Sequence, residues 1–157
     1  MYLSTVLPLL LPLSHALQEP FSDPSSSNGQ WEVANCGGED DILQITTLKV
    51  DPETAGVGGP VNVTVKGTLR EEVTGGEANF RLLYSSILLL NRRFDLCTEV
   101  LGGSTLDCPV KPGPVSFVKE VQIKTSLQGK LTLTLNIWDD EDSKVACIKG
   151  SGDFKKK

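Results

Sequence analysis

Histidine is almost missing from this chain: the only copy in 157 residues is His15. Histidine supplies most catalytic general bases and many zinc ligands. Without it, Ser-His-Asp triads, Cys-His pairs and histidine metal sites are closed. Aromatic residues are sparse at 6%. Beyond the first 13 positions no run of about 18 uncharged apolar residues occurs, so no membrane-spanning helix is expected. Positive charge is also short, with 15 Lys and Arg against 20 Asp and Glu. Setting Lys155, Lys156 and Lys157 aside moves the formal charge from −5 to −8. An acidic body lacks the basic footprint that nucleic acid requires, so nucleic acid is excluded as a partner. No metal and no cofactor are expected.

The first segment is a leader. Leu3 to Leu13 is nearly all apolar, broken by Pro8 and Pro12, and too short to cross a bilayer. Ser14-His15-Ala16 puts small residues where signal peptidase reads them. Residues 1–16 therefore read as a signal peptide, and its removal takes His15 with it. Residues 17–30 are rich in Pro and Ser and read as a disordered lead-in or a propeptide. Residues 31–154 make one domain, and 155–157 are a basic tail. The expected location is the secretory pathway, either secreted or in a vacuolar or lysosomal lumen.

What is present is an even set of four cysteines, Cys36, Cys97, Cys108 and Cys147. Behind a leader such a set implies disulfides formed in an oxidising compartment. Four cysteines allow three pairings, and spacing alone does not choose among them. We favour Cys36–Cys147, a clasp joining the ends of the patterned region, and Cys97–Cys108, a staple on an internal loop. In the chain-entropy account these contribute about 4–5 and about 3 kcal/mol.

The patterned region reads as strands. Ile42 to Val50 is rich in Ile, Leu, Thr and Val and stops at Asp51-Pro52, a turn signal. Val61, Val63, Val65 and Leu69 alternate with polar residues, the mark of a strand with one buried face. Asn62-Val63-Thr64 is a glycosylation sequon, with Asn62 on the wet side of that alternation. Residues 78–96 carry a partly helical spacing interrupted by Ser85-Ser86, and we read strand, bend, strand. Ile87 to Leu90 has the look of a strand buried on both sides. Val115 to Lys124 is a further strand, and Leu131, Leu133, Leu135 and Ile137 alternate most cleanly. A last strand follows the 139–142 acidic turn. About seven or eight strands at such spacing describe an all-β, immunoglobulin-like sandwich of two facing sheets.

The order of pieces from Trp31 to about Gly150 resembles the ML lipid-recognition family, and within it the fungal phosphatidylglycerol/phosphatidylinositol transfer proteins. The matching pieces are Cys36-Gly37, the 41–45 segment running to Val50-Asp51-Pro52, and 61–68. They continue with Phe94-Asp95-Leu96-Cys97, Cys108-Pro109-Val110 and the 139–142 acids ahead of Cys147. The resemblance implies a sandwich holding a lipid in an apolar cavity between its sheets, and the same two disulfides. Its partners would be a phospholipid or sterol ligand and, transiently, a membrane, with the protein acting as a monomer and not as an enzyme. The related Niemann–Pick type C sterol carriers have a third disulfide in the early loop, for which this chain has no cysteines left.

Alternation nominates Leu43, Ile45, Val63, Val65, Phe80, Leu82, Val121, Ile123, Leu133 and Leu135 as cavity lining. The family's C-P-aliphatic motif carries the cavity mouth onto Pro109 and Val110, with Val115 and Phe117 just beyond. A void of some hundreds of Å3 would cost the empty protein on the order of 5–10 kcal/mol, which the disulfides would offset. The acidic 139–142 turn departs from the alternating ligands of an EF-hand and reads as a solvated turn. Of Arg92 and Arg93, which point to opposite faces of a strand, only one can meet a given phosphate. Nothing in the sequence brings Glu99 and Glu120 together as a glycosidase pair. The competing interpretation is a secreted immunoglobulin-like recognition module with a solid core.

Overall fold

The computed structural model describes residues 30–53, 59–123 and 128–154, with Ile123 described by its backbone alone. The leader, the tail and all but the last residue of the lead-in fall outside the described residues. Among those residues the chain forms eight strands: β1 (Glu32–Asn35), β2 (Leu43–Asp51), β3 (Gly59–Leu69), β4 (Gly76–Tyr84), β5 (Ile87–Asp95), β6 (Gly113–Ile123), β7 (Gly129–Asp139) and β8 (Lys144–Phe154). One π-helical turn, Leu96–Val100, follows β5.

The strands pair antiparallel throughout, in a five-stranded sheet of order β1-β8-β7-β4-β5 and a three-stranded sheet of order β2-β3-β6. Alternation dictates the facing. Along β3, Val61, Val65 and Leu69 are buried while Asn62, Lys66 and Thr68 are exposed. Asn62 thus stands on the outer side, opposite Asp51 and Glu120. The Ser85-Ser86 turn has two positive φ angles, 44° and 75°. That is the pattern of a two-residue hairpin whose twist suits the flanking strands. The strand–bend–strand reading of 78–96 holds in outline.

The burial expected of Ile87–Leu90 does not hold. These residues are 64%, 47%, 57% and 41% exposed. The cause is a mismatch of width: β5 is the outermost of five strands, and the facing sheet has only three. Continuous apolar sequence does not reveal whether a second layer reaches it.

Two clusters fill the interior. Ile42, Leu69, Val73, Ala78, Leu96, Leu101, Ile137, Val145 and Ala146 form the larger one. Trp31, Val61, Leu131 and Phe154 form the smaller one at the opposite end, with Leu82 and Leu133 packed on it. The rings of Trp31 and Phe154 lie 4.9 Å apart and tilted, a favoured aromatic geometry. Cys36 bonds Cys147, tying the segment after β1 to β8, and Cys97 bonds Cys108 across the β5–β6 connection.

Candidate functional site

The β5–β6 connection positions the site. Asp95 caps its first turn, its carboxylate accepting hydrogen bonds from the Thr98 backbone N–H at 2.8 Å and the Thr98 hydroxyl at 2.9 Å. Glu99 reaches back to accept from the Asp95 N–H at 2.7 Å, as in a capping box. The bond to the Thr98 N–H, then that to its hydroxyl, holds the Asp95 carboxyl below its ordinary pKa. Lys119, opposite Val63 on the sandwich-facing side of β6, donates to the carbonyl oxygens of Glu99 at 2.7 Å and Val100 at 2.9 Å. A lysine on an inner face is thereby satisfied by carbonyls that the turn leaves free.

Farther on, the connection fastens to the free edge of β6. Thr105 accepts from the Val118 N–H at 2.9 Å and donates through its hydroxyl to the Ser116 carbonyl at 2.9 Å. Val110 and Val73 exchange two backbone hydrogen bonds, of 3.0 and 2.9 Å, closing one end of the sandwich. Beneath this cover lies a cavity of about 130 Å3, lined by aliphatic side chains and one aromatic. Its walls are Leu43, Val63, Val65 and Leu69 from β2 and β3, Val115 and Phe117 from β6, Leu135 and Ile137 from β7, and Val145, Ala146 and Ile148 from β8. Val73, Leu96, Val100, Leu101, Leu106 and Val110 complete it from the connecting segments. Among the described residues no titratable side chain is part of this wall, so the cavity offers shape and hydrophobicity in place of reactive groups.

Of the residues nominated from the sequence, the structure brings Leu43, Val63, Val65, Leu135, Val110, Val115 and Phe117 together around this cavity. Leu82 and Leu133 pack instead on the Trp31–Phe154 cluster. Ile45 packs on the larger core outside the cavity, displaced where a bulge shifts the β2–β3 register between Ile45 and Thr47. Phe80 is half-buried beside Leu135 in the ladder and is not part of the wall. Pro109 is exposed and off the cavity. Val121 does face the sandwich, opposite Val61, but it is 42% exposed. The cover fastened at residues 116–118 stops short of it. The side chain of Ile123 lies outside the description. The void is also smaller than the hundreds of Å3 expected.

Of the lining not nominated from sequence, Leu69, Ile137, Val145, Ala146 and Ile148 lie on β3, β7 and β8, and Val73, Leu96, Val100, Leu101 and Leu106 come from the connecting segments, which alternation cannot reach. A signal existed: 96–110 contains Leu96, Val100, Leu101, Leu106 and Val110, many aliphatics for a surface loop. Arg92 and Arg93 divide as strand geometry requires. Arg92, opposite Phe80, stacks over Phe94 at 5.0 Å, and Arg93 pairs with Glu77 at 3.4 Å on the outer face. In the acidic turn, Asp139 accepts from the N–H groups of Glu141 and Ser143. Among the described residues no group of three or more His, Cys, Asp or Glu is placed to hold a metal ion.

These features define a two-sheet β-sandwich with an apolar pocket between the sheets. The chain belongs to the ML domain family, whose model matches residues 30–154. A phosphatidylglycerol/phosphatidylinositol transfer protein of Cryptococcus neoformans var. neoformans serotype D is 27% identical over 137 residues, covering 85% of this chain and 76% of that one. Two solved structures share the fold. Chicken MD-1, complexed with lipid IVa, superposes with a TM-score of 0.55 at 18% identity, over 78% of this chain and 96% of its own. A Niemann-Pick type C2 protein from the Japanese carpenter ant gives 0.58 at 15% identity, over 79% and 99%.

Proposed function

We propose that the protein is a carrier that holds the hydrocarbon tail of a phospholipid or sterol between its sheets and moves it between membranes without covalent chemistry. The observation that carries this reading is the cavity wall, apolar on every side. Burying a tail of about 16 carbons supplies roughly 12 kcal/mol, at about 0.8 kcal/mol per methylene. The empty cavity of 130 Å3 costs roughly 3 kcal/mol at about 24 cal/mol per Å3. A tail is longer than this void. On this reading it also occupies the uncovered side between β5 and β6, two strands that end different sheets. The transfer function named for the Cryptococcus relative and the lipid complex of chicken MD-1 support the same ligand class.

The protein acts as a monomer in or beyond the secretory pathway, with 1–16 removed as a signal peptide and 31–154 as the lipid-binding unit. Two disulfides suit that oxidising route. The test is native mass spectrometry of the purified protein followed by lipid extraction, for the wild type and Val65→Phe. Val65 is 5% exposed on the cavity wall. The larger ring should cut lipid occupancy sharply while the domain stays folded by circular dichroism. A wild type free of lipid and inert in transfer between vesicles returns the fold to a solid-cored recognition module.

A further inference from the structure

The outward face of the five-stranded sheet holds a second concavity. A groove of about 720 Å3 opens where β4 begins and β7 ends, within the usual range for ligand pockets of about 300–1,000 Å3. Gly76, which brings no side chain, lines it together with Asn79, Arg93 and Trp138. We propose that this groove, with the sheet face that continues it, binds a neutral oligosaccharide, Trp138 serving as the platform for a sugar ring. The proposal goes beyond the carrier reading and does not rest on it, because Trp138 is no part of the cavity wall.

Trp138 is out of place for a core residue. Of the chain's two tryptophans, Trp31 packs in the end cluster, whereas Trp138 belongs to neither cluster. Ile137 takes the inward position beside it, so strand alternation turns the indole outward. There it is half-buried, opposite Glu77. Among the described residues no hydrogen bond engages its N–H. An indole joins a broad apolar face to a single donor. A pyranose ring presents the complement, C–H bonds on a face and hydroxyls around the edge. From Trp138 the same face of β7 continues through Asn136, Thr134 and Thr132, roughly 20 Å at the usual strand rise. That length suits several sugars in a row. Beside it Asn79 donates to the Asn91 side-chain oxygen at 2.9 Å. The bond fixes both amides and leaves the Asn79 oxygen to accept and the Asn91 N–H groups to donate.

Charge narrows the ligand class. The outward ladder positions of the five strands carry Glu32, Glu77, Asp95 and Asp153 against Arg81, Arg93, Lys130, Lys144 and Lys149, close to balance over the sheet face. Within the groove the walls are acidic, with Glu77, Asp95, Asp139, Asp140 and Asp142 against Arg93, so an anion is repelled. All of these carboxylates but Asp142 are already engaged. Glu77 pairs with Arg93, and Asp95 accepts from Thr98. Asp139 accepts from the N–H groups of Glu141 and Ser143, and Asp140 from the Thr74 hydroxyl at 3.3 Å. Their remaining lone pairs stay available as acceptors. A cation would use those acceptors alone and leave the indole, guanidinium and amide donors idle. An oligosaccharide uses both kinds, since each hydroxyl donates and accepts.

The test is calorimetric and fluorescence titration of the full chain with cello-, laminari-, manno- and chitohexaose. Ribonuclease B, before and after removal of its mannose glycan, and hexalysine are titrated alongside. The variants are Trp138→Ala and Asn79→Ala/Asn136→Ala. The full chain should bind at least one of the sugar probes, with tryptophan fluorescence shifting on saturation. Trp138→Ala should weaken that binding by about tenfold or more, as truncation of a hot-spot tryptophan does, and abolish the fluorescence change. The asparagine pair should weaken it severalfold. Those amides lie outside both core clusters, so that variant decides the question should Trp138→Ala not fold. Binding of a free hexaose assigns a polysaccharide source, and binding only of the glycan-bearing ribonuclease assigns a protein-borne one; either supports the site. No binding of any sugar probe, or sugar binding that both variants keep, overturns the proposal. Binding of hexalysine alone makes the groove a cation site and overturns it as well.

Discussion

Asp95 shows how much one side chain organises. It ends β5, caps the turn beneath which the cavity lies, and does both as a carboxylate accepting from Thr98. Its pKa is lowered from 3.8, chiefly by the bond to the Thr98 N–H. A group whose folded-state pKa is depressed adds stability that is present above the unfolded value and lost as pH falls through the folded one. A carboxyl titration followed by NMR should place the Asp95 midpoint below 3.8, with Thr98 amide protection falling as that midpoint is crossed. A midpoint at or above the ordinary value removes the cap from the account. Sequence did not single out this residue's role: Asp95 appears there only as part of a family motif, since a cap is defined by the turn that follows it.

At the scale of elements, the β2–β3 pair joins a legible pattern to an illegible detail. Alternation from Val61 to Leu69 is visible in the chain, and the ladder obeys it. The bulge at Ile45–Thr47 is not visible. Gly67 sits beside that bulge, where a Cβ would land on the Gln44 carbonyl oxygen and crowd the Ile45 backbone. Those neighbours are main chain and cannot swing aside. Gly67→Ala should therefore cost about 1–3 kcal/mol, seen as a lower thermal midpoint. An unchanged midpoint would mean that β2 gives way at the bulge. The same displacement keeps Ile45 off the cavity wall, although its side chain has the right polarity and sits on the right face.

For the whole molecule, the two disulfides differ in reach. Cys36 and Cys147 are 111 residues apart in sequence, Cys97 and Cys108 only 11. In the chain-entropy account the first contributes about 4–5 and the second about 3 kcal/mol. Cys36→Ser/Cys147→Ser should therefore lower the denaturation midpoint more than Cys97→Ser/Cys108→Ser does. The second pair of substitutions should act more on lipid retention, because it loosens the cover of the cavity. The reverse ranking of midpoints would show that the local staple, with the packing it holds, outweighs the long clasp.

The chain by itself marked every strand but β1 and the places where most of them turn, and it established that four cysteines brace a two-layer β domain whose residues 31–154 contain no histidine. Those properties are local: alternation follows from the two-residue period of a strand, and turns from the conformations that Ser, Gly and Asp-Pro allow. Only the tertiary structure decided which apolar residues meet a void, which meet the Trp31–Phe154 cluster and which meet solvent. Leu133 and Leu135 lie on the same face of one strand and look alike in sequence, yet they separate into different clusters. Ile87–Leu90 looks like core and is an edge. The reason is that burial depends on what lies across from a residue, and that is settled by sheet width, register and where a loop fastens.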